Sequence, residues 1–215
     1  KYTRGSGISR RPHFGTVFAS AREGHQEALQ ELIRLAEDRL YPAIVRATAV
    51  ELMRTYRDDR ILEALRRAFG DEEPLVRQTA VASSDFFQDR ERAELIGPLL
   101  WDPVRAVRIE AARNLAEVPA DTLKPDQKKK LPEVIAEYEV AMTYSLGVSF
   151  AGFNLGNLYS ALDEPGKAEG FYRTAIQVDD LFYPAMINMA MLLNGQGRND
   201  EAEKLFLKTL ELQPD

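Results

Sequence analysis

The sequence predicts an all-α protein, an α-solenoid or superhelix in which helical hairpins stack on one another. A valine-arginine motif recurs three times at a constant spacing in the first half of the chain. A second set of small and aromatic residues recurs at a slightly longer spacing in the second half. The alternating apolar and polar runs that form strands are missing from the sequence. Fixed periods of this kind are typical of repeat proteins, in which each unit buries its apolar face against the next.

The chain opens with a segment that has no apolar period. Residues 1–15 are rich in glycine and basic side chains, and we interpret them as a basic arm. A first helical pair is expected over 16–21 and 26–36, as a terminal repeat that departs from the common pattern. The chain begins with lysine rather than methionine, so we expect it to be a piece of a longer protein.

The 31-residue period marks one helix in each of three hairpins. Its members are the pairs Val45-Arg46, Val76-Arg77 and Val107-Arg108, followed by Ala49, Ala80 and Ala111. The surrounding stretches, 42–56, 74–86 and 103–118, each open with proline, which suits the first position of a helix. Apolar residues at helical spacing predict intervening helices over 58–69 and 90–100. Pro-x-Val-Arg-x-x-Ala runs resemble HEAT-like repeats, which we assign to residues 16–119.

The 34-residue period relates two hairpins in the second half. The first set is Leu155-Gly156, Tyr159, Ala168, Tyr172, Ala175 and Asp180, and the second is Met189-Ala190, Leu193, Ala202, Phe206, Thr209 and Pro214. Gly156 and Ala190 should let paired helices approach closely, while Tyr172 and Phe206 fill the space between hairpins. These residues resemble tetratricopeptide repeats, two of which we assign to residues 149–215. Asp163 stands where that family prefers glycine in the turn.

The join between the two kinds of repeat is predicted over residues 120–148. A polar break at 119–125 is followed by a long helix expected from about Leu131 to Tyr144. Tyr138 precedes Tyr172 by one period of the second half, so this helix resembles the second half of an incomplete tetratricopeptide unit. It is expected to couple the two sets of repeats.

Composition and charge exclude several classes of function. The 215 residues include 34 acidic and 28 basic side chains, and the net charge of -6 argues against a nucleic-acid partner. The chain has no cysteine, which excludes disulfides, cysteine zinc sites and c-type haem attachment within it. The uncharged stretch from Val140 to Leu162 is long enough to span a membrane, but its glycines, its asparagines and its one-sided apolar pattern argue against a span.

Candidate binding residues come from the tetratricopeptide resemblance. It places these side chains in the concave groove: Phe153, Asn154, Asn157, Ser160, Ile187, Asn188, Met191 and Asn194. Asn154 and Asn188 share a repeat position, where an amide can bind a peptide backbone through one donor and one acceptor. Alternatively, both asparagines brace their own hairpins. Family members that clamp a carboxylate carry basic residues beside such asparagines, and these helices have none, so carboxylate capture is not expected.

The recurring arginines have two interpretations. Arg46, Arg77 and Arg108 could form an anion-binding stripe, or a structural ladder with acids such as Asp71 and Asp102, which recur at the same spacing. We favour the ladder, because guanidinium groups suit bidentate bridging and the surrounding face has few other basic residues. No phosphate-binding glycine loop, Ser-His-acid set or metal-ligand cluster is found, so we predict no catalytic residue, no metal site and no enzyme.

The order of parts carries a further resemblance. The basic segment 11–15, the HEAT-like runs at 42–49 and 102–113, and the following tetratricopeptides resemble the C-terminal region of bacterial multihaem c-type cytochrome family proteins. The resemblance implies a periplasmic helical scaffold beside an electron-transfer module. In those proteins the haem sites lie upstream, so no cofactor is expected in this chain, although haem is possible in the parent protein.

The sequence therefore predicts a non-catalytic scaffold for protein-protein interaction, whose concave surface binds a peptide or protein partner within a larger redox protein. The alternative is an accessory of an electron-transfer enzyme, in which His13 or His25 completes a haem site in the full-length chain. The last helix is expected to leave apolar side chains partly exposed, with further repeats downstream or self-association as the result. These side chains are Leu205, Phe206, Leu210 and Leu212.

Overall fold

The computed structural model describes residues 13–212. Within that range, the secondary structure consists of twelve α-helices and three short 3-10 helices, without strands. The predicted all-α, helical-repeat class is therefore confirmed. Residues 1–12 of the basic arm and the repeat residue Pro214 lie outside the described residues.

The first of two compact units ends at Ile96. Its helices are α1 (Phe14–Arg22), α2 (Ala28–Glu37), α3 (Ala43–Met53), α4 (Arg60–Ala68), α5 (Pro74–Ala82) and α6 (Asp89–Ile96), with a 3-10 turn at Ser84–Phe86. Helix α2 packs against α3 and α4, and α3 packs against α5. Helices of the same kind thus lie beside each other, which is the arrangement of stacked hairpins.

The second unit begins at Gly97. Its α-helices are α7 (Arg105–Ala116), α8 (Pro125–Thr143), α9 (Ser149–Ala161), α10 (Pro165–Val178), α11 (Tyr183–Gly195) and α12 (Asn199–Leu212), with 3-10 turns at Gly97–Trp101 and Ala120–Thr122. From α7 to α12, each helix packs against the next. Helix α11 also contacts α9, so the first helices of the two tetratricopeptide-like hairpins are neighbours.

The helix boundaries reproduce both sequence periods. Helices α3, α5 and α7 begin at Ala43, Pro74 and Arg105, in step with the shorter period. The starts of α9 and α11 are separated by the longer period, as are those of α10 and α12. The valines of the shorter period, at positions 45, 76 and 107, are all buried. Each repeat motif therefore occupies an equivalent, buried position in its own helix.

Helix α8 begins at Pro125, ahead of the predicted start at Leu131. Proline suits the first position of a helix, and the backbone N–H of Lys124 donates to the buried side chain of Gln127 at 2.9 Å. Lys128 and Lys129 are exposed and Lys130 is half-buried, and all three are polar, so the apolar periodicity begins only at Leu131. The sequence pattern marked where the buried face of α8 starts, not where the helix starts.

The prediction for 90–100 as one helix was also too long. Helix α6 ends at Ile96, and the chain continues as a 3-10 turn through Trp101. Pro98 has no N–H to donate and disfavours a helical conformation at Gly97, which accounts for this boundary.

Close packing in the second unit depends on Gly156 and Tyr172. Tyr172 is only 2% exposed and lies in a cluster that also contains Ala168, Ala175 and Met189. A Cβ atom at Gly156 would lie 2.4 Å from two carbon atoms of the Tyr172 ring. The predicted close approach of paired helices at Gly156 is confirmed, since the Tyr172 ring of α10 lies directly against this position of α9 in the same hairpin. Tyr172 also packs in one cluster with residues of α11, so it fills space toward the next hairpin as predicted.

The structural interpretation of the recurring arginines is confirmed at Arg46. This side chain is buried, and its Nε donates to the carbonyl oxygen of Ala36 at 3.0 Å. Its two terminal nitrogens donate to the two carboxylate oxygens of Asp71, which is also buried. A buried, bidentate pair of this kind links α3 to the segment that precedes α5.

The other two arginines also bond to the protein itself. Arg77 donates to the carbonyl oxygen of Asp71 at 2.7 Å, and Arg108 donates to that of Asp102 at 2.8 Å. Arg108 also pairs with the carboxylate of Glu137 at 2.6 Å, which joins α7 to α8. Each contact is a structural bond within its own unit, and these contacts leave no support for an anion-binding stripe.

Candidate functional site

A groove of about 590 Å³ opens in the second unit, over α9, α11 and the turn between α9 and α10. It brings together half of the predicted binding residues: Asn157, Ser160, Asn188 and Met191. Met191 is 54% exposed and therefore available to a partner. Four of the residues that the tetratricopeptide resemblance identified therefore line one groove, and their role in binding stays a prediction.

The groove has a polar floor that joins three successive helices. Tyr172 of α10 donates its hydroxyl to Oδ1 of Asn157 on α9 at 2.8 Å, and Nδ2 of Asn188 on α11 donates to the same oxygen at 2.7 Å. Asn188 therefore braces two neighbouring repeats rather than its own hairpin. The shared oxygen holds the amide groups in fixed positions at the groove floor.

Burial raises the pKa of Tyr172, and hydrogen bonds with Asn188 and Ser160 partly oppose that rise. The phenol is thus protonated at neutral pH and remains a hydrogen-bond donor. This state suits the contact with Asn157.

The other four predicted residues do not line the groove. Phe153 packs against Phe182, with ring centres 5.5 Å apart, at the edge of the apolar cluster. Asn154 and Ile187 are half-buried, and Asn194 is exposed. Their assignment to binding stays a prediction.

Seven of the residues that line the groove were not recognised as site residues from the sequence, and two of them, Tyr172 and Asp163, are important to its chemistry. Tyr172 was predicted only to fill space, and Asp163 was noted only as a departure from the family pattern. The available signal was the comparison of the two hairpins. Phe206, at the position equivalent to Tyr172 in the second hairpin, has no hydroxyl, and Gly197, at the position equivalent to Asp163, has no carboxylate.

Charged side chains near the groove lie on the second helices and their turns. Arg198 pairs with Glu169 at 2.6 Å and with Glu201 at 2.7 Å, and Arg173 also pairs with Glu169. The hydrogen bond from Arg198 is the largest cause of a lowered pKa at Glu169, while burial opposes it. This network connects α10 to the start of α12, and both of its cations, Arg173 and Arg198, are paired with carboxylates.

The last helix exposes apolar side chains, as predicted. Phe206 and Leu210 are 36% and 62% exposed, and Leu205 and Leu212 are half-buried. At the corresponding position of the preceding hairpin, Tyr172 is 2% exposed, because α11 covers it. The outer face of α12 is thus an apolar surface without a covering helix among residues 13–212.

Among the described residues, neither histidine has the surroundings of a haem ligand. The Nδ1 atom of His13 accepts from the backbone N–H of Gly15 at 3.1 Å, and His25 contacts the hydroxyl of Ser20 at 3.2 Å. Both side chains are exposed, whereas haem requires a largely apolar cavity. These residues do not fit the group, so we derive no haem chemistry from them.

The described residues contain no cluster of three or more His, Cys, Asp or Glu side chains that could hold a metal ion. Over the same range, every helix is too short or too polar to cross a membrane.

Comparison with known proteins identifies a helical-repeat region. Residues 39–116 match HEAT repeats, and residues 185–213 match the tetratricopeptide repeat. No curated protein matches the chain. Among solved structures, the crystal structure of MamA is similar at 21% identity over 74% of this chain and 96% of that chain, with a TM-score of 0.35.

Proposed function

We propose that this chain is a non-catalytic scaffold for protein-protein interaction, and that the groove of its second unit binds an extended segment of a partner. The observation that carries the proposal is the amide floor formed by Asn157 and Asn188. The bonds within the floor use Oδ1 of Asn157 and one N–H of Asn188. The N–H groups of Asn157 and the Oδ1 of Asn188 are left as donors and an acceptor for an extended peptide backbone. The HEAT and tetratricopeptide matches support a protein partner for the same chain.

The shape of the groove also supports a peptide rather than a small molecule. It is open to solvent along two helices, whereas small-molecule sites enclose most of their ligand. Exposed Met191 provides an apolar contact beside the amides. A segment lying across α9 and α11 would bury Met191 and pair its backbone with the amide floor.

The groove is tested by a substitution that fills it without disturbing the core. We predict that Met191→Arg abolishes binding to an array of random, acetylated and amidated dodecapeptides, because the long side chain occupies the groove. Leu207→Arg is the matched control, since Leu207 is 53% exposed but lies on α12, outside the groove. Its binding pattern should equal that of the wild type.

Two outcomes would contradict the proposal. One is a wild-type protein that binds no peptide of the array. The other is a Met191→Arg variant that retains every peptide. Loss of binding in Leu207→Arg alone would instead assign the interaction to the outer face of α12.

The cellular location of the scaffold and the larger protein that contains it are proposed from the resemblance to multihaem c-type cytochrome family proteins alone. The scaffold would be part of a periplasmic, multihaem cytochrome protein, with haem bound by upstream domains of the full-length chain. The natural full-length protein should then show a c-type haem spectrum and fractionate with the periplasm. A full-length protein without haem would contradict this part of the proposal. Haem titrated into this chain without any change in the Soret band would contradict the alternative in which His13 or His25 is a haem ligand.

Self-association is proposed through the outer face of α12. Its exposed apolar side chains would be covered by a second copy. Sedimentation over a range of concentrations tests this, and a monomer at every concentration would contradict it.

A further inference from the structure

We infer that the groove selects a basic segment, and that Asp163 at the groove mouth binds a lysine or arginine side chain of that segment. The inference rests on the proposed function, because it names the class of peptide that the same groove takes. Three features of the second unit support it: the charge of the groove, the free carboxylate of Asp163 and the backbone conformation at this residue.

The groove surface is otherwise uncharged. Helices α9 and α11 consist of neutral residues from Ser149 to Ala161 and from Tyr183 to Gly195. Within the described part of the chain, Asp163 is the charged residue among those that line the groove. An arginine or lysine of a bound segment would therefore meet a carboxylate without a competing cation in the lining.

The carboxylate of Asp163 is available for such a contact. It is exposed, and among residues 13–212 it forms no hydrogen bond or ion pair. The neighbouring Glu164, in contrast, pairs with Lys167 at 2.8 Å. Arg198 approaches the groove residue Gln196 at 3.4 Å, but two carboxylates hold it. The groove mouth thus has an unneutralised negative charge.

The backbone at Asp163 indicates that this charge is maintained against a local preference. Asp163 has a φ of 56°, and Gly197, in the equivalent turn of the next hairpin, has a φ of 77°. Glycine adopts this left-handed conformation freely, whereas aspartate, although it tolerates the conformation better than most residues with a side chain, adopts it less readily than glycine. Gly197 shows that glycine forms this turn in the second hairpin, yet the equivalent position of the first hairpin is Asp163.

A role in forming the turn does not explain the aspartate. The contact that Asp163 makes there is a main-chain one, from its N–H to the carbonyl oxygen of Ser160 at 3.2 Å. Glycine would provide the same N–H. The side chain makes no bond within the turn and lines the groove, so it is placed where a ligand could reach it.

The test compares peptides that differ in one charge. Acetylated and amidated dodecapeptides of neutral random sequence are prepared in three versions, with Arg, Gln or Glu at one fixed position. We expect the wild type to bind the best Arg versions about fivefold more tightly than their Gln versions, as for a partly exposed ion pair. The Glu versions should bind more weakly than both. Acetylation removes the terminal amine as a competing source of positive charge.

Asp163→Asn removes the charge, and asparagine tolerates the left-handed conformation. In this variant the preference for Arg over Gln should disappear, while binding of the Gln versions remains. Glu203→Gln is the matched control, because it removes one negative charge from an exposed position on α12. It should keep the wild-type preference.

The outcomes separate this inference from the proposed function. A wild type without charge preference, or an Asp163→Asn variant that keeps it, overturns the inference while Met191→Arg still reports on the groove. A wild type that binds no peptide overturns both. A third measurement concerns the turn: Asp163→Gly should unfold at a temperature equal to or above that of the wild type, and a clear decrease would assign the aspartate to stability and overturn the inference.

Discussion

The contact between Gly156 and Tyr172 gives the sharpest test of how the second unit is packed. Replacing Gly156 by alanine adds a single Cβ atom, which would lie 2.4 Å from two ring carbons of Tyr172. Ordinary contact between carbon atoms requires about 3.5–4 Å. The Tyr172 ring must therefore shift by about 1 Å within a buried cluster.

Three contributions determine the size of the effect. Overpacking a dense core costs about 1–3 kcal/mol. Displacement of the ring weakens the hydrogen bond between Tyr172 and Asn157, which is worth about 1 kcal/mol. Alanine in a helix interior recovers about 1 kcal/mol relative to glycine. The expected net destabilisation by Gly156→Ala is about 2 kcal/mol.

The control is a second glycine in a helix of the same unit. Gly170 lies in α10, is exposed, and has open space where a Cβ atom would be added. Gly170→Ala is expected to stabilise the protein by about 0.5–1 kcal/mol, through helix propensity alone. Urea unfolding followed by the fluorescence of Trp101, the single tryptophan of the chain, reports on the second unit.

Combining Gly156→Ala with Tyr172→Leu tests whether the Tyr172 ring causes the destabilisation. With the ring removed, Gly156→Ala should cost little or should stabilise the fold. A Gly156→Ala variant as stable as the wild type, or one whose loss of stability is the same with leucine at position 172, would show that the Tyr172 ring does not limit the space at Gly156.

Two further predictions concern the ion pairs. Arg46→Met should destabilise the first unit by about 3–5 kcal/mol in urea unfolding, because it leaves the carboxylate of Asp71 buried without its partner; a loss below about 1 kcal/mol would mean that water reaches this site. The pKa of Glu169 is lowered in the folded state, so its contribution to stability is complete above its ordinary pKa of 4.5 and is lost as the pH falls through the lower folded value. Arg198→Met should therefore reduce the loss of stability on acidification below about pH 5, and an unchanged acid limb in urea unfolding would contradict this assignment.

Much of the fold follows from local patterns in the sequence. The Val-Arg motif predicted helices α3, α5 and α7, because an apolar residue that returns at a fixed spacing must occupy the same buried position in each repeat. The start of α8 was misplaced, because its first two turns are polar and are held by the cap at Gln127. A periodicity argument detects a buried face and cannot detect a helical turn without one.

The site was predicted less completely than the fold. The family pattern identified Asn157, Ser160, Asn188 and Met191, which line the groove. It also included Phe153, Asn154, Ile187 and Asn194, which do not. Neighbouring turns of the same helices carry all of these positions, and only the packing of α11 on α9 decides which of them face the groove.

The spacing of residue types is enough to predict which positions must be small, large or buried, because every copy of a repeat of fixed length meets the same packing demands. Which polar atoms meet depends on how the helices pack. Tyr172 and Asn188 both donate to one oxygen of Asn157, and this shared oxygen joins three helices. The carboxylate of Asp163 stays unpaired because the nearby cations Lys167 and Arg198 form ion pairs with other carboxylates. Hydrogen bonds act over about 3 Å between specific atoms, so they follow from the final packing and not from the spacing of residue types.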